Sequence, residues 1–158
     1  MTRILESKVR VRFQDCDPFN HLNNSSYIDY FFNAREDQLL KDYDIDIYDH
    51  AKKTGKGWVV VSNQISYFKP ALLTETVTVE SQVINFSPRS IQVEMRMYNE
   101  DKTELKAVMW SKFVYFDIRS QKGAEHSEEF MKLFSEAHAP LEAKTFEERM
   151  NNILKGKI

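Results

Sequence analysis

Glycine and proline are scarce in this chain, four of each in 158 residues, which argues against disorder and long flexible linkers. There is one cysteine, Cys16, so no disulfide can form within the chain. Charge of one sign is missing too: 22 basic residues face 24 acidic ones, a net −2, and no global basic field exists to attract nucleic acid. No run approaches the roughly 20 apolar residues of a membrane helix. The opening MTRILESKVRV lacks the apolar block of a signal peptide. These absences lead to the expectation of a cytoplasmic protein without a nucleic-acid or membrane partner. What is present suits a single domain with a real core. Hydrophobic residues make up 42% and charged residues 29%, the balance of an ordinary soluble protein. Eleven Phe and seven Tyr can supply a large apolar interior or interface.

The periodicity changes along the chain. KVRVRF alternates apolar and charged residues, with Val9, Val11 and Phe13 on one face, the signature of a strand. SSYIDYFFNAREDQLLKDY then carries Ile28, Phe31, Phe32, Arg35, Leu39 and Leu40 at helical spacing. Asn23, Asn24 and Ser25 are N-cap candidates, and Asp29 suits the first turn. YIDYFF is apolar almost all round, which predicts a helix buried on several sides. After AKKTGKG, of which KKTGKG reads as a solvated loop, the period becomes two. WVVVSNQISYF, TVTVESQVINF, SIQVEMRMY and ELKAVMWSKFVYFDI read as four strands, joined by turns short enough to predict antiparallel pairing of neighbours. From about Gly123 the pattern is helical again, with Ser127 starting one helix and Thr145 with Glu148 forming a capping box for another. A strand, a buried helix, four strands and a helical tail make an α+β architecture, a five-stranded antiparallel sheet curled round one long central helix.

Between the first strand and the helix lies RFQDCDPFNHLNN, polar and turn-prone. Its candidate metal ligands, Asp15, Cys16, Asp17 and His21, match no zinc spacing, because a second His or Cys pair is missing. The loop and the acidic DYDIDIYDH both lack the Gly and terminal Glu of a calcium loop, so no metal is expected. A carboxylate at the mouth of an apolar pocket can activate water or attack a carbonyl; the same Asp17 can equally form an Asx-turn. The first N–H groups of the following helix can be capped by a side-chain oxygen of Asn23, Asn24 or Ser25, or can polarise a carbonyl oxygen. Asn20 is suited to a left-handed turn.

VRFQDCDPFNHLNNSSYIDYF resembles the hotdog-fold acyl-CoA thioesterases, in particular the 4-hydroxybenzoyl-CoA thioesterase-like group. ISYFKPALLTETVTVESQV is similar to that family's second and third strands, and SPRSIQVEM to the start of its fourth; together the likeness runs over residues 5–118. The resemblance implies hydrolysis of acyl-CoA without a cofactor, in a hotdog domain over residues 1–120 with a helical extension, 121–158, packed on it. It makes Asp17 the catalytic carboxylate, as base or nucleophile, with His21 shaping the site or acting in catalysis and Asn24 near the oxyanion donor. Asp15 is a loop support with a secondary binding role, Arg89 and Lys69 are candidates for the CoA phosphates, and Tyr27 is a core, dimer-contact or substrate-lining residue. Another branch uses a helix carboxylate, for which Glu36 and Asp37 are available. Relatives form homodimers joined at sheet edges, often homotetramers, with active sites at the subunit interface. Alternatives are an acyl-carrier-protein thioesterase and a non-catalytic acyl-CoA-binding hotdog protein; a dehydratase motif is not seen.

Overall fold

The computed structural model describes residues 2–158. Strand β1 (Leu5–Arg10) leads through two short turns of 3-10 helix into α1 (Tyr27–Tyr43) and α2 (Ile47–Thr54). Then follow β2 (Lys56–Tyr67), β3 (Thr76–Phe86), β4 (Ser90–Asn99), β5 (Leu105–Asp117), a two-residue β6 (Lys122–Gly123), α3 (Glu128–Ala137) and α4 (Phe146–Leu154). The sheet runs β1-β3-β4-β5-β2, antiparallel throughout, with β6 added beside the end of β5.

The period-two reading holds for the central strands. Val77 and Val79 of β3, Val93, Met95 and Met97 of β4, and Ala107 and Met109 of β5 are all buried in one core cluster with Tyr27, Tyr30, Phe31 and Ala34 of α1. The sheet thus curls about α1, helped by register shifts at Val60/Ser62 and Val83/Asn85, which bend strands. One expectation fails: β2 and β3 are consecutive but do not pair. The Phe68–Glu75 connection carries the chain from one edge of the sheet to a place beside β1, and among the described residues β5 is the one strand that β2 pairs with. Short connections favour neighbours, but β1 also needs a partner, and β3 provides it. β2 is therefore an edge strand of twelve residues, with Val59, Val60 and Val61 exposed.

The sequence reading also passes over α2. The acidic DIDIYDH and the expected KKTGKG loop together form this helix and its exit, with Asp46 accepting from the Tyr48 and Asp49 N–H groups and Gly55 ending it at φ 71°. β1 stops at Arg10, so Phe13 leaves the apolar face and stands 79% exposed. In the tail, Ser127 caps α3 through the Phe130 N–H, and Thr145 caps α4 through the Glu148 N–H. The Glu148 carboxylate reaches back to the N–H of Lys144, one residue earlier than a standard box.

The two tail helices take opposite faces. α3 packs Phe134 and Ala137 into the core on the α1 side. His138 and Ala139 then bind Val83 where β1 no longer covers β3, and α4 lies on the convex face. There Arg149 meets the fully buried Glu94, and Phe146 packs edge-on against Trp110.

α3 also closes an aromatic cluster of Trp58, Tyr115, His126, Phe130 and Phe134. Trp58 Nε1–H donates to His126 Nε2 at 3.0 Å, so that nitrogen is unprotonated and Nδ1–H faces Ser87 O at 3.0 Å. Burial pushes the His126 pKa below its usual value, against a smaller opposite effect of the Ser87 carbonyl. The unfolded chain therefore takes up a proton that the native chain resists. Stability is complete above the ordinary His value of about 6.5 and declines as pH falls from there toward the lowered native value. Thermal unfolding followed by Trp fluorescence is expected to show a lower midpoint at pH 5.5 than at pH 7.5, and His126→Gln to flatten this step; an unchanged slope in the variant would refute the assignment.

Candidate active site

The polar stretch between β1 and α1 folds into a tight double-backed turn. Cys16 pairs with Leu22, Asp17 N–H donates to His21 O at 2.8 Å, and Asn23 N–H to Asp15 O at 2.8 Å. At its tip Asn20 adopts φ 63°, the left-handed conformation expected of it. Asp17 Oδ1 accepts the Phe19 N–H at 2.9 Å and the His21 N–H at 3.0 Å, so the Asx-turn expectation is met. Asp17 Oδ2 has no protein partner among the described residues. The turn is pinned to the connection before β3 by Leu22 N–H to Ala71 O and Leu73 N–H to Asn20 O.

Asp15 is held from beneath. Its Oδ2 accepts the Tyr30 hydroxyl at 2.6 Å, and that hydroxyl oxygen accepts the Arg12 N–H at 3.0 Å. Burial, with the hydrogen bond to Asp15, pushes the Tyr30 pKa up to about 12, so the phenol stays protonated and remains a donor. Cys16 is half-buried, and burial, with Asp17 and Asp15 beside it, raises its pKa. That is the opposite of what a nucleophilic thiolate needs.

The entry to α1 departs from expectation. A turn of 3-10 helix, Asn24–Ser26, precedes it, and neither Asn23 nor Ser26 makes a side-chain cap. The N–H groups of Asn24 and Ser25 have no acceptor among the described residues. Asn24 O is instead tied to the Tyr67 hydroxyl. The His21 ring makes no hydrogen bond there either and lies 6.5 Å from the exposed ring of Phe19. Of the readings open for Tyr27, the core one fits the structure: it is 2% exposed, packed edge-on against Tyr67, and its hydroxyl accepts the Ala71 N–H.

Lys69 lies at the same end of the sheet, on the surface, paired with Glu104. Arg89 does not. It precedes β4 at the opposite end, paired loosely with Glu125 at 3.5 Å. A ten-residue strand separates the two ends by about 30 Å, so within one chain Arg89 and Asp17 share no site. Asp37 is exposed, and Glu36 accepts the Tyr48 hydroxyl.

An apolar cavity of about 340 Å³ lies between α1, α2 and the β2 side of the sheet, lined among others by Phe32, Leu39, Trp58, Phe113 and Phe134. Its α2 wall is not predictable from the sequence pattern, in which the KKTGKG end of this segment reads as a loop. Its rim is the exposed β2 edge at Val59 and Val60, at the end of β2 remote from Asp17. A larger cleft of about 560 Å³ on the far side of α2 is more polar and bordered by Asp44, Asp49, Lys53 and Glu129. Among the described residues no cluster of His, Cys, Asp and Glu could hold a metal ion, and no helix is long and apolar enough to cross a membrane.

The sequence profile of the thioesterase-like superfamily matches residues 11–134, from the end of β1 into α3. This chain belongs to the thioesterase-like superfamily. It is 26% identical over 118 residues to the long-chain acyl-CoA thioesterase FadM of Escherichia coli K12, covering 75% of this chain and 87% of that one. Two solved structures share its fold at low identity. One is Slr0204, a 1,4-dihydroxy-2-naphthoyl-CoA thioesterase from Synechocystis, with TM-score 0.75, 14% identity, and 84% of this chain and 96% of that chain covered. The other is SAV2348 from Staphylococcus aureus in complex with CoA, with TM-score 0.78, 11% identity, and 90% of each chain covered. The hotdog architecture implied by the polar stretch is thus the observed one.

Proposed function

We propose that this superfamily member hydrolyses acyl-CoA thioesters to free acid and CoA, with Asp17 as the reacting carboxylate. One observation carries the reading. Asp17 is fixed through one oxygen by two backbone N–H groups and keeps the other without a protein partner, on a turn beside the free N–H groups that open α1. A carboxylate so held can activate water for attack on the thioester carbonyl or attack it directly. The Asn24 and Ser25 N–H groups can receive the developing oxyanion. Asp15, positioned by Tyr30, supports the turn, and His21 flanks it.

In one chain this turn and the apolar cavity lie at opposite ends of β2. A two-fold pairing of β2 edges resolves the separation, because an antiparallel partner strand puts its Tyr67 end against Gly57 and Trp58. The partner's Asp17 turn then stands at the cavity rim, and Arg89, at that same end, is within reach of the CoA phosphates. The unpaired β2 edge and the exposed Phe13, Phe19, Tyr67 and Leu72 around the turn support a homodimer as the working unit. α4 already covers part of the convex face, so a tetramer built by stacking bare sheets is disfavoured.

The test is thiol release from a panel of acyl-CoAs, with the same acyl groups presented on acyl carrier protein. Turnover of CoA thioesters with kcat/KM at least tenfold above the carrier thioesters is expected. Tight acyl-CoA binding without turnover would support the non-catalytic alternative instead, and preference for the carrier would reassign the substrate.

A further inference from the structure

The apolar cavity contains a charge that apolar acyl groups do not need. Arg35 stands on the sheet-facing side of α1 at 9% exposure. It lines the closed end of the cavity with Ile91, Val93 and Phe134, away from the exposed rim at Val59 and Val60. Its Nη1 donates to Ser81 Oγ at 2.9 Å, its one side-chain hydrogen bond among the described residues. The other buried cations are neutralised: Arg96 and Arg149 share Glu94, and Lys106 bridges Glu75 and Glu104. Arg35 has no carboxylate within ion-pair distance among the described residues. Glu36, the neighbouring carboxylate on the cavity wall, is turned to the Tyr48 hydroxyl at the exposed side.

Every fully buried side-chain nitrogen and oxygen among the described residues has a partner. The guanidinium nitrogens of Arg35 without one are therefore not fully buried; Arg35 lines the cavity, and Tyr43, on the border of the neighbouring cleft, is the other group close enough to influence its charge. Burial lowers the Arg35 pKa to about 10, which leaves it charged at neutral pH. A buried, charged fork with free donors is unfavourable until an acceptor arrives, and a carboxylate fits it best. A cavity of 150 Å³ holds a benzene-sized ligand, so about 340 Å³ accommodates an acyl group of roughly a dozen carbons.

We propose that Arg35 is a specificity-determining residue that selects acyl groups bearing an oxygen acceptor, a carboxylate above all, at the end remote from the thioester. The assignment rests on the reading of the cavity as the acyl pocket. Plain acyl chains leave the guanidinium without an acceptor, whereas oxygenated ones supply one. Sites built to hydrogen-bond a ligand group discriminate strongly against analogues lacking it.

Binding of non-hydrolysable S-alkyl-CoA thioethers tests this separately from catalysis. Chains of about eight to twelve carbons, each unsubstituted, ω-hydroxylated or ω-carboxylated, are titrated calorimetrically into wild type, Arg35→Met and Arg35→Lys. For at least one length the ω-carboxylated ligand is expected to bind wild type ten or more times tighter than its plain counterpart, with the hydroxylated one between. Arg35→Met is expected to remove the difference and Arg35→Lys to keep part of it. The wild-type comparison decides even if a variant fails to fold: equal or weaker binding of the carboxylated ligand at every length overturns the proposal. So does a preference that survives in folded Arg35→Met. Failure of all thioesters to release thiol, with the binding preference intact, would remove only the hydrolase assignment. Failure of every thioether to bind would remove the acyl pocket and this proposal together.

Discussion

Asp17→Asn is expected to lower kcat/KM on the best acyl-CoA roughly 10²- to 10⁴-fold, the range of a lost general base, and to leave thermal unfolding almost unchanged. The separation is possible because the proposed mechanism gives the two oxygens of Asp17 different tasks. Oδ1 receives the Phe19 and His21 N–H groups, and the amide oxygen of Asn can take both. The second oxygen becomes an NH₂, which can neither accept a proton nor attack a carbonyl. Asp17→Ala removes both tasks and is expected to be about 1–3 kcal/mol less stable, two hydrogen bonds at the usual net value. Steady-state thiol release and thermal melts on both variants read the two tasks apart. Undiminished hydrolysis by well-folded Asp17→Asn would reject the assignment, and equal instability of both variants would return Asp17 to a purely structural role.

That pair of tasks also explains how far this stretch can be read without coordinates. Asp, Pro and Asn name a turn, and Asn20 was identifiable as its left-handed residue because few other side chains tolerate positive φ. Which oxygen of Asp17 stays free depends on how the turn closes, and residue order does not specify that. β3, β4 and β5 were legible because each puts alternate residues into a core shared with α1. The pairing of β1 with β3, and so the free edge of β2, was not, because it depends on where an eight-residue connection carries the chain. α2 escaped because it is only eight residues long and buries none of them fully; its apolar side is Ile47, Tyr48 and Ala51 on the cavity wall, too few turns for a helical period to stand out. Its ends were nonetheless written in Asp46 and Gly55. Arg35 sat at an apolar helical position, and only its folded surroundings reveal that its charge has no carboxylate partner among the described residues.

Glu94→Gln is expected to be the most destabilising of the single substitutions considered, by about 3–5 kcal/mol, because it leaves the buried Arg149 without its counter-charge. Glu94 is fully buried on the convex face. It accepts from Arg96 Nη1 at 2.6 Å, Arg149 Nη2 at 2.7 Å, Arg149 Nε at 2.8 Å and Trp110 Nε1 at 2.7 Å. Arg96 would retain Glu80, at 3.1 Å, whereas Arg149 has no second carboxylate among the described residues. In a domain of this size the loss corresponds to a fall in Tm of roughly 6–20 °C. Arg149→Met should also destabilise, and the double variant should lose less than the sum, since with Arg149 gone a single buried guanidinium is left near position 94. Acid dependence gives a second readout. Burial alone would raise the Glu94 carboxyl, but the hydrogen bond from Arg149 and the charges of Arg96 and Arg149 outweigh it and hold the pKa below the usual range. Its contribution is therefore complete above the ordinary carboxylate value of about 4.3 and lost as pH falls through the lowered native one. The His126 step begins nearer pH 6.5, so a wild-type profile of Tm against pH should fall in two stages, and Glu94→Gln should remove the more acidic one. Wild-type Tm in folded Glu94→Gln would refute the view that α4 is fastened to the sheet through this carboxylate.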